Sequence, residues 1–183
     1  TNGKTSISYM IRAMLRKMGF RVGLIGTIQI MIEDKALPIH NTTPDVVELQ
    51  HTLSMMMEKN IDYVVMEVSS HALDQNRVAG VEFDTAVFTN LTQDHLDYHK
   101  TFENYRLAKA KLFDLVGSKT AVKNGKTAVV NVDDEAGEFM LQHADCRHIT
   151  YGINNDAFLK AENIQVLANG TKFEIKHKIP PHI

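Results

Sequence analysis

Short apolar runs alternate along this chain with segments whose apolar residues recur every three or four positions. The runs are FRVGLIGT, IDYVVMEV, FDTAVFTNL, KTAVVNVDD and CRHITYG. Their cores are continuously apolar, the pattern of a strand buried on both faces in a parallel sheet. Between them, Ile7, Met10, Ile11, Met14, Leu15 and Met18 follow helical spacing, and Gly19 stops that helix. Thr43-Pro44-Asp45 starts a second helix, with Thr43 as N-cap and Pro44 at the first position. Val46, Val47, Leu49, Leu53, Met56 and Met57 are expected to form its buried face. A third helix is expected from Phe102 to Val116, with Tyr105, Ala108, Leu112 and Phe113 inward. From Ala157 to Lys176, FLKAENIQV and TKFEIK alternate and join near Asn169-Gly170, which suggests a hairpin. The expected fold is therefore α/β: a mostly parallel sheet flanked by helices, with a small antiparallel hairpin near the C-terminus.

Composition narrows the function classes. The 183 residues suffice for one domain with a sizeable core, at 44% hydrophobic and 23% charged. A formal charge of −2 gives no strong pull on nucleic acid or on a membrane surface. Cys146 is the single cysteine, so no internal disulfide forms, which suits a cytoplasmic location. No signal peptide or membrane-length apolar run is present. KHKIPPHI ends in no recognisable cap, and both ends are expected to be cuts within a longer, monomeric protein.

Ligands of such sheets sit at the carboxyl ends of the strands. The unusual polar clusters fall there: TNGKTS heads a helix, SSH follows YVVMEV, NLTQDH follows TAVF, and NVDD ends TAVV. All are expected to converge on one edge. Gly3, Lys4 and Thr5 have the chemistry of a phosphate loop: a glycine for the backbone path, a lysine for outer phosphates and a hydroxyl for Mg²⁺. An ordinary helix N-terminus with a solvated lysine fits these six residues equally well. Glu67 ends an otherwise apolar strand, where a carboxylate is costly unless it binds a metal ion or pairs with a distant Arg or Lys. Ser69, Ser70 and His71 lack the G-x-S-x-G elbow of a serine hydrolase. His95 and His99 stand four apart, yet no H-E-x-x-H is present and no cysteine is near, so chemistry alone makes His95 a hydrogen-bonding group. Lys109 lies at the margin of the buried helix face, and Lys111 points roughly 200° away from it. By pattern alone both are solvated helix lysines.

Taken together these stretches resemble the Mur ligases, the ATP-dependent amide-forming enzymes of bacterial cell-wall synthesis. TNGKTS is similar to that family's G-T-N-G-K-T-[ST] loop without its first glycine. MEVSSHAL, NLTQDHLDYH and YRLAKAKLF resemble its central ATPase domain. NTTPD and the SSHAL run with Arg77 behind it point to the MurE-type branch, which adds the third amino acid to UDP-N-acetylmuramoyl-L-alanyl-D-glutamate. The resemblance runs from Thr1 to Asp134.

It implies roles residue by residue. Thr1, Asn2, Gly3, Lys4, Thr5 and Ser6 would surround the ATP phosphates. Thr5 and Glu67 would hold Mg²⁺, and His95 would reach a second Mg²⁺. Lys109 would be carbamylated, a cation converted by CO₂ into an anion with two oxygens. Asn41, Thr42, Thr43, Ser69, Gln75 and Arg77 would bind the UDP-muramoyl dipeptide, and Asn131 would approach the nucleotide. The family's N-terminal uridine-gripping domain, its C-terminal amino-acid domain and the strand leading into the phosphate loop are not among these residues, so residues 1–183 alone are expected to be inactive. The expected partners are ATP, the UDP-dipeptide and a diamino acid, with meso-diaminopimelate favoured over L-lysine. A folylpolyglutamate- or cyanophycin-type ligase is the related alternative. A nucleotide-binding module without ligase activity is the alternative of another class.

Overall fold

A computed structural model describes residues 1–117 and 125–178. It divides into two compact units, the first made of residues 1–81 and 95–109, the second of 82–94 and 110–183.

In the first unit, α1 (Lys4–Lys17) is followed by β1 (Val22–Ile25), β2 (Ile30–Ile32) and β3 (Lys35–Leu37). Then come α2 (Val46–Glu58), β4 (Tyr63–Met66), α3 (Ser70–Asp74) and α4 (Leu96–His99). The strands form one sheet in the order β3-β2-β1-β4. β1 and β4 run parallel, with Val22 opposite Tyr63 and Ile25 opposite Met66. All four residues of β1 are buried, as its uninterrupted apolar run requires. β4 forms the sheet edge and leaves Tyr63 and Val64 partly exposed; Phe20 packs edge-on against the Tyr63 ring at 4.9 Å.

The β2–β3 hairpin is not legible in the sequence. Its strands are three residues long, and its turn carries no glycine, proline or asparagine. Glu33 takes the left-handed turn conformation itself, with φ +54. Charge ties the turn down from outside: Arg16 makes a two-pronged contact with Asp34 at 2.6 and 2.9 Å, and Arg21 reaches Glu33 at 2.5 Å.

Two helix faces differ from expectation. On α1, Met10, Met14 and Met18 are exposed, while Ser8 and Arg12 are buried. Arg12 Nη2 donates to the Glu33 carbonyl, so a buried polar contact takes the place of an apolar one, while Arg12 Nε is buried with no hydrogen-bond partner. On α2, Leu49, Thr52 and Met56 face inward, and Val46, Val47 and Met57 face out. The cap of α2 also differs. Asp45, not Thr43, is the N-cap, and its carboxylate accepts from Val47 N at 3.0 Å and Glu48 N at 2.9 Å. An anionic acceptor at the positive end of a helix outcompetes a hydroxyl two residues earlier.

In the second unit, β5 (Thr85–Phe88), β6 (Thr127–Asn131), β7 (Arg147–Gly152), β8 (Leu159–Leu167) and β9 (Gly170–His177) pair in that order. The first four run parallel, and β8–β9 is an antiparallel hairpin with an irregular register between Glu162 and Gln165. The short α6 (Gly137–Gln142) follows β6. α5 (Phe102–Val116) links the units and has the predicted bounds; Tyr105, Ala108 and Phe113 are buried along it, as predicted. Lys126 is buried but satisfied, donating to the Phe83 carbonyl at 2.8 Å and pairing with Glu82 at 3.1 Å. The hairpin's apolar side chains are open to solvent, Val166 and Ile175 among them. The end of KHKIPPHI, from position 179, lies outside the described residues. No helix among the described residues is long and apolar enough to cross a membrane.

Candidate active site

The first unit brings TNGKTS together with the loops that follow β1 and β4. Gly3 caps α1 in the left-handed conformation, φ +83, which an L side chain rarely adopts. From there Lys4 turns back, its Nζ donating to the Thr1 carbonyl at 2.8 Å. Thr1 Oγ1 in turn lies 3.1 Å from the Tyr105 hydroxyl. Asn2 and Ser6 are exposed. The free N–H groups and the positive dipole end at the start of α1 suit an anion.

Thr5 points the other way. Its hydroxyl donates to Glu67 Oε2 at 3.0 Å. Glu67 is buried, only 2% exposed. Its remaining donors are the Thr27 backbone N–H to Oε1 and the Thr27 hydroxyl to Oε2, each at 3.0 Å. These partners are neutral, so the carboxylate is oriented without being neutralised by them. Gly26 completes the cradle, because a Cβ there would overlap Glu67 Oε1. Thr27 and Gly26 were not legible as site residues, since FRVGLIGT reads as a strand. The available signal was a threonine at the carboxyl end of that strand.

Thr43 is fully buried and acts as a clasp. Its hydroxyl donates to the Glu67 carbonyl at 2.9 Å and accepts from Ser69 N at 3.0 Å. Thr42 Oγ1 lies 3.2 Å from Thr27 Oγ1, and Asn41 is exposed beside it. Because Thr43 is a clasp and not a cap, Thr43→Ala takes this partner from the buried Glu67 carbonyl and the half-buried Ser69 N–H. The expected loss is about 1–3 kcal/mol of unfolding free energy, read by denaturant titration. Thr43→Ser, which keeps the hydroxyl, should lose less.

Ser69 N-caps α3, accepting from Ala72 N at 3.2 Å. Beyond α3, Arg77 donates through Nε to Gln75 Oε1 at 2.8 Å, through Nη2 to the same oxygen, and through Nη1 to the Thr43 carbonyl at 3.3 Å. Of the substrate residues inferred from NTTPD and SSHAL, Thr43, Ser69, Gln75 and Arg77 are joined by hydrogen bonds, and Thr42 is tied to Thr27.

His95 precedes α4 in a left-handed conformation, φ +54, and its ring is exposed. Its centroid lies 4.9 Å from that of His71 and 6.0 Å from that of Tyr105. His99 does not act alongside it; it is buried, with Nε2 2.9 Å from Ser70 Oγ. Burial, and then the neighbouring imidazoles, hold the His71 and His99 pKa values below the usual histidine value. Lys109 Nζ lies 4.9 Å from the centroid of the buried Tyr105 ring, and Lys111 is exposed. Among the described residues no three His, Cys, Asp or Glu side chains gather as a metal site.

Asn131 belongs to the second unit. Both ends of its carboxamide are engaged, Nδ2 with the Thr89 carbonyl at 2.8 Å and Oδ1 with Asp133 N at 3.0 Å. Asp134 joins the same two loops by accepting from Leu91 N at 2.8 Å.

Residues 1–182 match the Mur ligase middle domain. The chain belongs to the Mur ligase family. It is 49% identical over 178 residues to the UDP-N-acetylmuramoyl-L-alanyl-D-glutamate–2,6-diaminopimelate ligase 1 of Clostridium acetobutylicum, covering 97% of this chain and 35% of that protein. The corresponding Bacillus velezensis ligase is also 49% identical, over 96% of this chain and 36% of its own length. A solved structure of a ligase of the same name superposes with a TM-score of 0.81 at 31% identity, covering 96% of this chain and 35% of that one. MurF from Acinetobacter baumannii, at a TM-score of 0.67 and 16% identity, shares the fold. The chain therefore spans about a third of the length of the Mur ligases it matches.

Proposed function

We propose that this chain is the central ATP-binding part of a cytoplasmic, monomeric ligase of peptidoglycan synthesis. The whole protein joins meso-diaminopimelate to UDP-N-acetylmuramoyl-L-alanyl-D-glutamate at the expense of ATP. Domains that grip the uridine end and deliver the amino acid belong to other parts of it. The observation that carries this reading is the link from the start of α1 to Glu67 through Thr5. It ties the helix N-terminus, at the residue after Lys4, to a buried carboxylate. The names of the relatives supply the substrate and favour diaminopimelate over L-lysine.

Thr5 and Glu67 fit Mg²⁺. They present two hard oxygens 3.0 Å apart, one of them charged and buried among neutral donors. His95 and Lys109 both lie near the Tyr105 ring, and a carbamylated Lys109 with His95 would hold a second ion. The chemistry that bound Mg²⁺ supplies is neutralisation of charge on the phosphate oxygens.

The D-Glu carboxylate attacks the γ-phosphorus of ATP, ADP leaves, and an acyl phosphate forms. The diamino acid's amine then displaces phosphate and forms the amide. No side chain acts as a nucleophile. Lys4 and the N–H groups at the start of α1 bind the phosphates. Arg77, held by Gln75 and Thr43, binds a carboxylate or phosphate of the UDP-dipeptide. Asn41, Thr42, Thr43 and Ser69 belong to the same substrate region.

The test uses the full-length protein. Phosphate release from ATP should require both the UDP-dipeptide and diaminopimelate, and mass spectrometry should show the UDP-tripeptide. L-Lysine should be a poor substitute. Phosphate release at an equal rate without the dipeptide or amine would instead indicate a nucleotide hydrolase.

A further inference from the structure

The Tyr98 side chain, next to last in NLTQDHLDYH, stands at the end of a hydrogen-bond chain that runs to Arg77. Its hydroxyl lies 3.1 Å from Gln75 Nε2 and 3.1 Å from Asp74 Oδ2. A phenol has a single O–H to donate. Donated to the acceptor-only Asp74 carboxylate, it leaves the oxygen to accept from Gln75. The Gln75 carboxamide accordingly faces with NH₂ towards Tyr98 and Oε1 towards the donor-only guanidinium of Arg77. Oε1 then receives two of the Arg77 guanidinium's N–H groups. With the Thr43 carbonyl taking a third, the guanidinium plane is fixed, and each terminal nitrogen keeps one N–H for a ligand. The Tyr98 ring is itself packed between two imidazoles, tilted against His71 at 4.2 Å and edge-on to His99 at 4.8 Å.

We infer that Tyr98 is a positioning residue for the UDP-dipeptide, acting through Gln75 on Arg77. The inference rests on the reading of Arg77 as a substrate group given above. Without the Tyr98 hydroxyl, the Gln75 NH₂ loses its anchor, and the Gln75 side chain no longer holds Oε1 in place for the guanidinium. The Arg77 tether is loosened. Arg77 must then be ordered at the moment of binding, at a cost in affinity.

The test is a double-mutant cycle in the full-length ligase with Tyr98→Phe, Arg77→Ala and the pair. Tyr98→Phe removes one oxygen and keeps the packed ring. Losing one such hydrogen bond should raise the KM for the UDP-dipeptide about three- to tenfold. The kcat, the KM for ATP and the melting temperature should stay at the parent values. In the Arg77→Ala background the same change should have almost no effect, because the group it positions is gone. A general structural role would lower kcat or the melting temperature, or act equally in both backgrounds, and would overturn the proposal. So would an unchanged KM in Tyr98→Phe while Arg77→Ala raises it; that result leaves the Arg77 reading standing. If Arg77→Ala itself leaves the KM unchanged, the substrate role of Arg77 falls, and the role of Tyr98 with it.

Discussion

Lys109→Ala should leave the full-length ligase almost inactive, with turnover down roughly 10²- to 10³-fold. Short carboxylates or added bicarbonate should restore part of it. The reason is the sign of the charge at this place. Lys109 Nζ lies 4.9 Å from the centroid of the Tyr105 ring, which packs within 6.0 Å of His95 and 5.1 Å of His99. His71 adds a further imidazole, 4.9 Å from His95. Burial, and then His71, hold His99 below its usual value against the opposing charge of Asp74. An ammonium here would repel Mg²⁺. A carbamate forms when the neutral amine attacks CO₂ and loses a proton, and it places two oxygens where a cation stood. Lys111→Ala, on the exposed side of α5, should stay near the parent rate with or without the added anion. Equal losses in both variants, or full activity in Lys109→Ala, would remove the carbamate from the mechanism.

Lys4→Ala should abolish ATP turnover, lowering kcat/KM for ATP about a hundredfold or more. Lys4 stands in the first turn of α1 behind Gly3, and its Nζ reaches back over the loop to the Thr1 carbonyl at 2.8 Å. That path holds an ammonium over the place where the helix N-terminus directs its N–H groups. Lys4→Arg should not rescue the activity, because a planar fork does not replace a compact charge at this spacing. The side chain is only half-buried, so the melting temperature should hardly change. A Lys4→Ala enzyme that hydrolyses ATP at the parent rate would rule out the phosphate-loop reading.

The sequence by itself determined the fold class. Five apolar runs became β1, β4, β5, β6 and β7, and the alternation from Ala157 to Lys176 became the β8–β9 hairpin. Long, strongly patterned segments are legible because burial acts on every residue in them; α5 matches its predicted bounds for that reason. The family was legible too, since TNGKTS, MEVSSHAL and NLTQDHLDYH are long and ordered. Only the tertiary structure decided the rest. The three-residue strands β2 and β3 are too short to carry a period, and distant Arg16 and Arg21 secure their turn. Met10, Met14 and Met18 satisfy a helix pattern, yet which face of α1 is buried depends on what packs against it. Thr43 has the composition of a cap, but Asp45 supplies a charged acceptor at the helix start, which frees Thr43 to clasp Glu67 and Ser69. Thr27 offers only its place at the carboxyl end of a strand, and Tyr98 has no signal of its own within NLTQDHLDYH. Their hydroxyls matter through Glu67 and Gln75, partners 40 and 23 residues away, and contacts at that separation exist only once the chain has folded.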